Sequence, residues 1–173
     1  MFDEDLIYRP GRQIGNYTIK KFIGKGTHGQ VYLVEWETDE GIKKNAAAKI
    51  LIAPKFKTIL RETANWGRVS SHKNILHLIG SEIIDEKIWM FSDYIERGSL
   101  KDWLKRRERK NLTYRDYIRF FLGILNGLDH LHKLDTLHRD LKPANILLKE
   151  NGPNYIKNDI PLLADFGLAR NLA

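Results

Sequence analysis

The first half of the chain alternates apolar and polar residues, and the alternation predicts strands. Three segments rich in β-branched and aromatic residues follow one another from Tyr17 to about Ile52: NYTIKKFIGKG, GQVYLVEWET and KNAAAKILI. Glycine or charged residues separate them, as is typical of antiparallel strands joined by turns. The stretch HKNILHLIGSEIIDEKIWMFSDYI adds two short strands around a charged turn at Asp85 to Lys87. The pattern therefore predicts a five-stranded antiparallel sheet.

Helical spacing appears once inside this region and dominates after Gly98. FKTILRETANWGRVSS places large apolar residues three and four positions apart, which predicts one helix inserted before the last two strands, with Gly67 weakening its end. SLKDWLKRR and TYRDYIRFFLGILNGLDHLHKL predict two more helices, for which Ser99 and Thr113 are suitable N-caps. We expect an α+β chain whose two halves join near Tyr94 to Gly98.

Composition narrows the class of protein. The chain has 173 residues, 42% of them hydrophobic and 29% charged, which suits one domain or two small lobes. It has no run of 18 apolar residues, and the acidic start MFDEDLIYRP is unlike a signal peptide, so we expect a cytoplasmic protein with no membrane segment. The absence of cysteine excludes disulfides, thiolate catalysis and cysteine-ligated zinc.

The net charge of +7 raises the question of a nucleic-acid partner. Much of the charge lies in one stretch, KDWLKRRERK, which lacks the interleaved aromatic residues that stack bases. A solvated helix and loop is the favoured interpretation, and no nucleic-acid partner is expected.

A glycine-rich stretch, IGKGTHGQV, carries the first candidate chemistry. Gly24, Gly26, Gly29 and Val31 form the pattern G-x-G-x-x-G-x-V. A dinucleotide site would need a helix after the glycines, whereas here the strand-like VYLVEW follows. The glycines therefore predict a β-hairpin whose backbone N–H groups can approach phosphates, although a plain tight hairpin is also compatible with them.

Lys49 lies in the apolar segment NAAAKIL. A lone lysine in such a setting usually lies at a sheet edge or extends its ammonium to solvent. Glu62, however, is the one acidic residue between Leu51 and Ser81, and it lies on the predicted helix. A Glu62 carboxylate paired with Lys49 would hold the ammonium toward phosphate oxygens.

LHRDLKPANILL, followed by LADFG, carries the most specific signal. It places Asp140, Lys142 and Asn145 on one short loop, because Pro143 argues against a continuous helix, and puts a second carboxylate at Asp165. An orienting base, a positive charge and oxygen ligands for Mg²⁺ are what phosphoryl transfer requires.

Together these motifs resemble the eukaryotic-type protein kinases, in the family's order, from Tyr17 to Arg170. The resemblance implies a two-lobe fold with 1–16 as an N-terminal extension, 17–95 as the N-lobe and 96–173 as a partial, mainly helical C-lobe. The family continues after D-F-G with further activation-segment residues and peptide-binding helices, which do not fit into Leu168 to Ala173. We therefore expect a chain truncated on its C-terminal side, and exposure of apolar helix faces that those helices would cover.

The resemblance also assigns roles in binding ATP. Gly24, Gly26 and Gly29 would cover the phosphates, Lys49 would reach the α and β phosphates, and Glu62 would orient Lys49. Ser92 corresponds to the gatekeeper, and Asp93, Tyr94 and Ile95 to the hinge that binds adenine. Apolar contacts to the base would come from Ile23, Val31, Ala47 and Leu147. Plain core packing is the alternative for each of these apolar positions.

The catalytic roles follow in the same way. Asp140 resembles the catalytic base, Lys142 the γ-phosphate contact, and Asn145 and Asp165 the Mg²⁺ ligands. KPAN after HRDL resembles serine/threonine kinases, which implies transfer of the γ-phosphoryl group of Mg-ATP to hydroxyls of a protein substrate. The alternative is an ATP-binding regulatory or scaffolding module without phosphotransfer. The sequence gives no oligomeric state.

Two further departures from the family concern packing. Ala46, Ala47 and Ala48 stand where the family often has V-A-I, so a loosely filled core is expected beside Lys49. Asn145 and Asp165 lie 20 positions apart, because KENGPNYIKND enlarges the turn between two short strands. Loop insertions are tolerated cheaply, so we expect a protruding hairpin loop.

Overall fold

The computed structural model describes residues 7–26, 29–51, 56–105, 112–152 and 158–171. The elements in these ranges are β1 (Gln13–Ile14), β2 (Tyr17–Gly26), β3 (Gly29–Glu37), β4 (Lys43–Leu51), α1 (Phe56–Val69), β5 (Leu78–Ile84), β6 (Lys87–Asp93), α2 (Leu100–Lys105), α3 (Tyr114–Lys133), β7 (Thr136–Leu137), β8 (Ile146–Lys149), β9 (Ile160–Leu163) and β10 (Arg170–Asn171). A 3₁₀ turn at Pro143–Asn145 precedes β8.

The main sheet has six strands in the order β1-β2-β3-β4-β6-β5, and all its strand pairs are antiparallel. The sequence pattern predicts five of them. The sixth, β1, is a two-residue strand within the predicted N-terminal extension, and it turns into β2 through Gly15, whose φ of +53° suits glycine. Such a short strand is missed because alternation needs at least four residues to be visible.

One face of this sheet carries an aromatic-rich core. Ala48 lies opposite Tyr32 on one neighbouring strand and Phe91 on the other, so these three side chains share a face. The buried cluster comprises Tyr8, Ile14, Ile19, Tyr32, Val34, Ala46, Ala48, Ile50, Ile84, Trp89 and Phe91. The sequence predicts loose packing at the alanines. In the structure Ala46 and Ala48 are fully buried, and large rings fill this core.

The chain divides into two compact units. The first contains Met1–Thr63 and Leu78–Tyr94, and the second contains Ala64–His77 and Ile95–Ala173. Residues 64–77 belong to the second unit although they precede β5 in the chain. Hydrogen bonds explain this placement, because Asn74 Nδ2 donates to the Pro161 carbonyl at 3.0 Å and Leu163 N–H donates to the Asn74 carbonyl at 2.9 Å.

The two helices predicted after Gly98 begin at the predicted caps. Asp102 N–H donates to the Ser99 hydroxyl at 3.2 Å ahead of α2. Thr113 forms a capping box with Asp116 at the start of α3, which satisfies two backbone N–H groups reciprocally. Both N-cap predictions are confirmed.

Helix α3 buries one part of its apolar stripe and exposes another. Ile124 and Leu131 are buried, whereas Phe121, Leu122 and Leu125 are each more than half exposed. The predicted exposure of an apolar face on this helix is therefore confirmed. The antiparallel pair β8–β9 is also as expected, with Ile146 opposite Leu163, and residues 153–157 of its enlarged turn lie outside the described ranges.

Candidate active site

The glycine-rich segment forms the β2–β3 hairpin, and its glycines differ in their surroundings. Gly24 lies opposite Val31, and Gly26 lies opposite Gly29, while residues 27–28 at the tip lie outside the described ranges. A Cβ on Gly29 would lie 2.2 Å from the Ile50 carbonyl oxygen, so close approach of β3 to β4 requires glycine there. A Cβ on Gly24 would meet no atom of the described residues within 4 Å. Strand β4 therefore excludes a side chain at Gly29, whereas no described neighbour excludes one at Gly24.

The register of the sheet gathers several predicted nucleotide-binding residues on one face. Val31 lies opposite Lys49, and Ala47 lies opposite Ser92. Because successive strand residues alternate between faces, these four side chains lie on the face opposite Tyr32, Ala48 and Phe91. The first unit thus has one face for its aromatic core and another for the candidate site.

Lys49 and Glu62 form an ion pair in the first unit, in which Glu62 is buried and Lys49 is partly buried. Lys49 Nζ donates to Glu62 Oε1 at 2.6 Å, and the side chains are 14% and 2% exposed. Helix α1 supplies Glu62, and β4 supplies Lys49. Burial of two charges is favourable only with good geometry, so the pair fixes the ammonium at a defined place on the sheet.

Asp140, Lys142 and Asn145 converge in the second unit. Lys142 Nζ donates to Asp140 Oδ2 at 2.6 Å, and Asn145 Nδ2 donates to the same oxygen and to the Asp140 carbonyl, each at 2.9 Å. The 3₁₀ turn after Lys142 brings Asn145 back toward Asp140. The hydrogen bond from Lys142, with a smaller contribution from Asn145, lowers the pKa of the Asp140 carboxyl below its ordinary value. Asp140 is therefore ionised at neutral pH.

His138 is a residue of this site to which sequence reasoning gave no role. It is buried, its Nε2 lies 3.0 Å from the Ala164 carbonyl oxygen, and Asp140 N–H donates to its Nδ1 at 3.3 Å. A neutral ring with its proton on Nε2 satisfies both contacts. Burial lowers the pKa of His138, which favours that neutral ring. The signal in the sequence is the position of His138 directly before Arg139 and Asp140 in the HRDLKPAN motif.

Asp165 is held close to the same loop by its neighbours. Ala164 N–H donates to the Asn145 carbonyl at 2.9 Å, which places the residue before Asp165 against Asn145. Phe166 is fully buried, with its ring 5.2 Å from that of His138 and 6.0 Å from that of Trp66. Asp165 adopts a left-handed backbone with φ of +65°, which is uncommon for a residue with a side chain.

The donor set of Asn145 and Asp165 fits Mg²⁺. Magnesium prefers oxygen ligands from one or two protein groups and completes its shell with water and phosphate. The Asn145 amide uses its nitrogen to bond Asp140, which leaves its Oδ1 as the end suited to a cation. A carboxylate at Asp165 would supply the second oxygen ligand.

The predicted site residues fall into both units. The first unit holds Ile23, Gly24, Gly26, Gly29, Val31, Ala47, Lys49, Glu62 and Asp93, and the second holds Ile95, Asp140, Lys142, Asn145, Leu147 and Asp165. Leu147 lies on β8, where it forms an isolated bridge with Ser99, and Gly98 N–H donates to the Ile95 carbonyl at 3.1 Å. Lys49 pairs with Glu62 in the first unit, and Lys142 and Asn145 bond to Asp140 in the second. The roles of all these residues stay predictions.

The fold and these motifs define an α+β chain of the kinase class. In agreement, the family described as the protein kinase domain matches residues 17–173. The chain therefore belongs to the protein kinase family.

Curated relatives agree with this assignment. The chain is 34% identical over 165 residues to activin receptor type-1 of Homo sapiens, covering 88% of this chain and 30% of that protein. It is 35% identical over 164 residues to TGF-beta receptor type-1 of Homo sapiens, covering 87% and 30%. Sporulation protein kinase mde3 of Schizosaccharomyces pombe is 31% identical over 162 residues, covering 89% and 29%. The chain thus spans less than a third of the length of these relatives.

Kinase domains in general use ATP and Mg²⁺ and act on protein substrates. Among the helices in the described ranges, none has the length and apolar character needed to cross a membrane.

Proposed function

We propose that this chain binds Mg-ATP and transfers its γ-phosphoryl group to a serine or threonine hydroxyl of a protein substrate. The observation that carries the proposal is the convergence of Lys142 and Asn145 on one oxygen of Asp140. An ionised carboxylate held from two sides is suited to orient a hydroxyl and accept its proton.

In this mechanism Asp140 acts as the base. Both side-chain hydrogen bonds that it receives within the described residues end on Oδ2, so Oδ1 is the oxygen that would accept the proton of the substrate hydroxyl. Lys142 would contribute positive charge beside the migrating phosphoryl group. His138 would be a positioning residue, because its Nδ1 accepts a hydrogen bond from the backbone N–H of Asp140.

The first unit would bind the nucleotide. The ammonium of Lys49, fixed by Glu62, would neutralise phosphate charge, and the N–H groups of the β2–β3 hairpin would approach the phosphates over Gly24. Asn145 and Asp165 would hold Mg²⁺, whose positive charge would help to neutralise the phosphate groups during transfer.

The test is transfer of radiolabelled γ-phosphate from Mg-ATP to a generic protein substrate, followed by identification of the phosphorylated amino acid. We expect phosphoserine or phosphothreonine with the wild-type chain and loss of transfer with Asp140→Asn. Asp129→Asn is the matched control, since Asp129 also bonds an exposed lysine, Lys133, at 2.7 Å, but on helix α3.

Three results would count against the proposal. Transfer by Asp140→Asn at the wild-type rate would remove Asp140 from the mechanism. Loss of transfer in Asp129→Asn would show that the assay reports folding. Thermal stabilisation of wild type by Mg-ATP that Lys49→Met abolishes, without any phosphorylated product, would instead indicate a nucleotide-binding regulatory module.

A further inference from the structure

The N-terminal segment, residues 7–14, binds directly to β3 close to the tip of the glycine-rich hairpin. Ile7 N–H donates to Gln30 Oε1 at 3.1 Å, and Tyr8 N–H donates to the Tyr32 hydroxyl at 3.2 Å. The Tyr32 hydroxyl in turn donates to Gln30 Oε1. Two consecutive backbone N–H groups of the segment therefore bind side chains of the strand that leaves the glycine loop.

Tyr8 anchors this segment on the aromatic face of the sheet. Its side chain is 8% exposed, with its ring centroid 6.0 Å from Tyr32 and 5.1 Å from Trp89. Lys87 Nζ lies 5.3 Å from the centre of the Tyr8 ring and donates to its hydroxyl at 3.2 Å. Tyr32 is on β3 whereas Trp89 and Lys87 are on β6, so Tyr8 connects the hairpin to a strand on the other side of β4.

Gln30 is the point at which this anchoring reaches the hairpin. It directly follows Gly29, is 1% exposed, and lies in register with Lys25 on β2 and Ile50 on β4. A buried amide needs its hydrogen bonds, so the Ile7 and Tyr32 donors hold the Gln30 side chain in place. Gln30 directly follows Gly29, where β3 lies close to the Ile50 carbonyl of β4. A shift of the Gln30 backbone would therefore also move the neighbouring glycine-rich part of the hairpin.

We propose that the N-terminal segment positions the glycine-rich hairpin over the nucleotide phosphates, with Tyr8 and Gln30 as positioning residues. The inference rests on the proposed function, since it concerns the same phosphate-binding hairpin. It adds the segment 7–14 with Tyr8, which lies outside the family match at residues 17–173, whereas Gln30 lies inside that match. Neither Tyr8 nor Gln30 touches the nucleotide in this scheme.

The test compares binding of Mg-ATP with binding of adenosine, which lacks phosphates, to the whole chain. Tyr8→Ala and Gln30→Met should weaken Mg-ATP binding roughly 2- to 30-fold, the range of coupling through a packed network, and leave adenosine binding unchanged. Tyr8→Phe keeps the ring and the backbone donors and should bind both ligands within about twofold of wild type. Hydrogen exchange without nucleotide should be faster at the hairpin amides in the first two variants.

Ile84→Ala is the matched control, because Ile84 is buried in the same cluster but lies on β5. It should lower the melting temperature without changing the ratio of Mg-ATP to adenosine affinity. If Tyr8→Ala and Gln30→Met leave that ratio unchanged while wild type binds Mg-ATP, the inference is overturned and the proposed function stands. If wild type does not bind Mg-ATP, the proposed function fails and the inference fails with it.

Discussion

Each unit contains a lysine–carboxylate pair of the same length in a different environment. Lys49 and Glu62 in the first unit lie 2.6 Å apart and are 14% and 2% exposed. Lys142 and Asp140 in the second unit also lie 2.6 Å apart but are 51% and 26% exposed. The two pairs are equivalent in their N–O distance but differ in how far their side chains are exposed to solvent.

The difference in exposure suggests different tasks for the two pairs: a structural one for Lys49–Glu62 and a chemical one for Lys142–Asp140. A buried pair cannot lose one partner without leaving an uncompensated charge, so it holds a strand and a helix in a fixed relation. An exposed pair contributes little to folding, so its carboxylate can be selected for access to a substrate. The following predictions test that division.

The largest effect is expected from Lys49→Met. It leaves Glu62, 2% exposed, without its cation, which typically destabilises a protein by about 3–5 kcal/mol. Urea unfolding measures the change. The double variant Lys49→Met/Glu62→Leu removes both charges and should recover most of the lost stability. A loss below about 1 kcal/mol in the single variant would mean that the pair is effectively solvated.

The glycine-rich hairpin provides a second contrast between structural and chemical roles. Gly29→Ala should destabilise the fold by roughly 1–3 kcal/mol, because its Cβ would lie 2.2 Å from the Ile50 carbonyl oxygen. The Cβ of Gly24→Ala would meet no atom within 4 Å in the part of the chain that the structure describes, so the unfolding free energy should change by less than about 1 kcal/mol while Mg-ATP binding weakens. Equal destabilisation by both variants in thermal unfolding would contradict this division.

Much of the fold was predictable because its patterns are long. Hydrophobic positions recur with a clear period over many residues in five strands and two helices: β2, β3, β4, β5, β6, α1 and α3. The two-residue β1 has no such pattern, and Tyr8 packs on Trp89, a residue 81 positions further along the chain. The local sequence around either residue gives no sign of such a long-range contact.

The candidate site was predictable to a different extent. Motifs identified Lys49, Glu62, Asp140 and Asp165 as candidates, because each residue type suits phosphate or metal chemistry. The burial that distinguishes the two lysine–carboxylate pairs was not predictable, since it depends on the packing of the whole unit. His138 was overlooked for the same reason, because its role lies in its contacts and not in its chemistry with a substrate.

Acid should weaken the second unit through His138. Burial lowers the pKa of this histidine in the folded protein below the ordinary value of 6.5, so the unfolded chain binds more protons. Its stability contribution is complete above about pH 6.5 and is lost as the pH falls toward the folded pKa, by at most about 1.4 kcal/mol per pH unit.

Urea unfolding of wild type and His138→Gln between pH 5 and 8 measures this dependence. The variant should show a flatter profile below pH 6.5. Burial also lowers the pKa of His72, so His72→Gln is measured alongside as a control. It should flatten the profile by its own amount, independently of His138→Gln. Identical slopes in wild type and His138→Gln would show that His138 does not couple to folding.

The smallest effect on stability is expected from Asp140→Asn. The pair that it disrupts is partly exposed, and pairs of this kind contribute about 0–1 kcal/mol, so unfolding in urea should differ little from that of wild type. Asp129→Asn, at the more exposed pair with Lys133, should change stability by a similarly small amount. If Asp140→Asn destabilises the chain as much as Lys49→Met does, exposure does not separate the two pairs. In that case the loss of phosphotransfer expected for Asp140→Asn could no longer be assigned to chemistry alone.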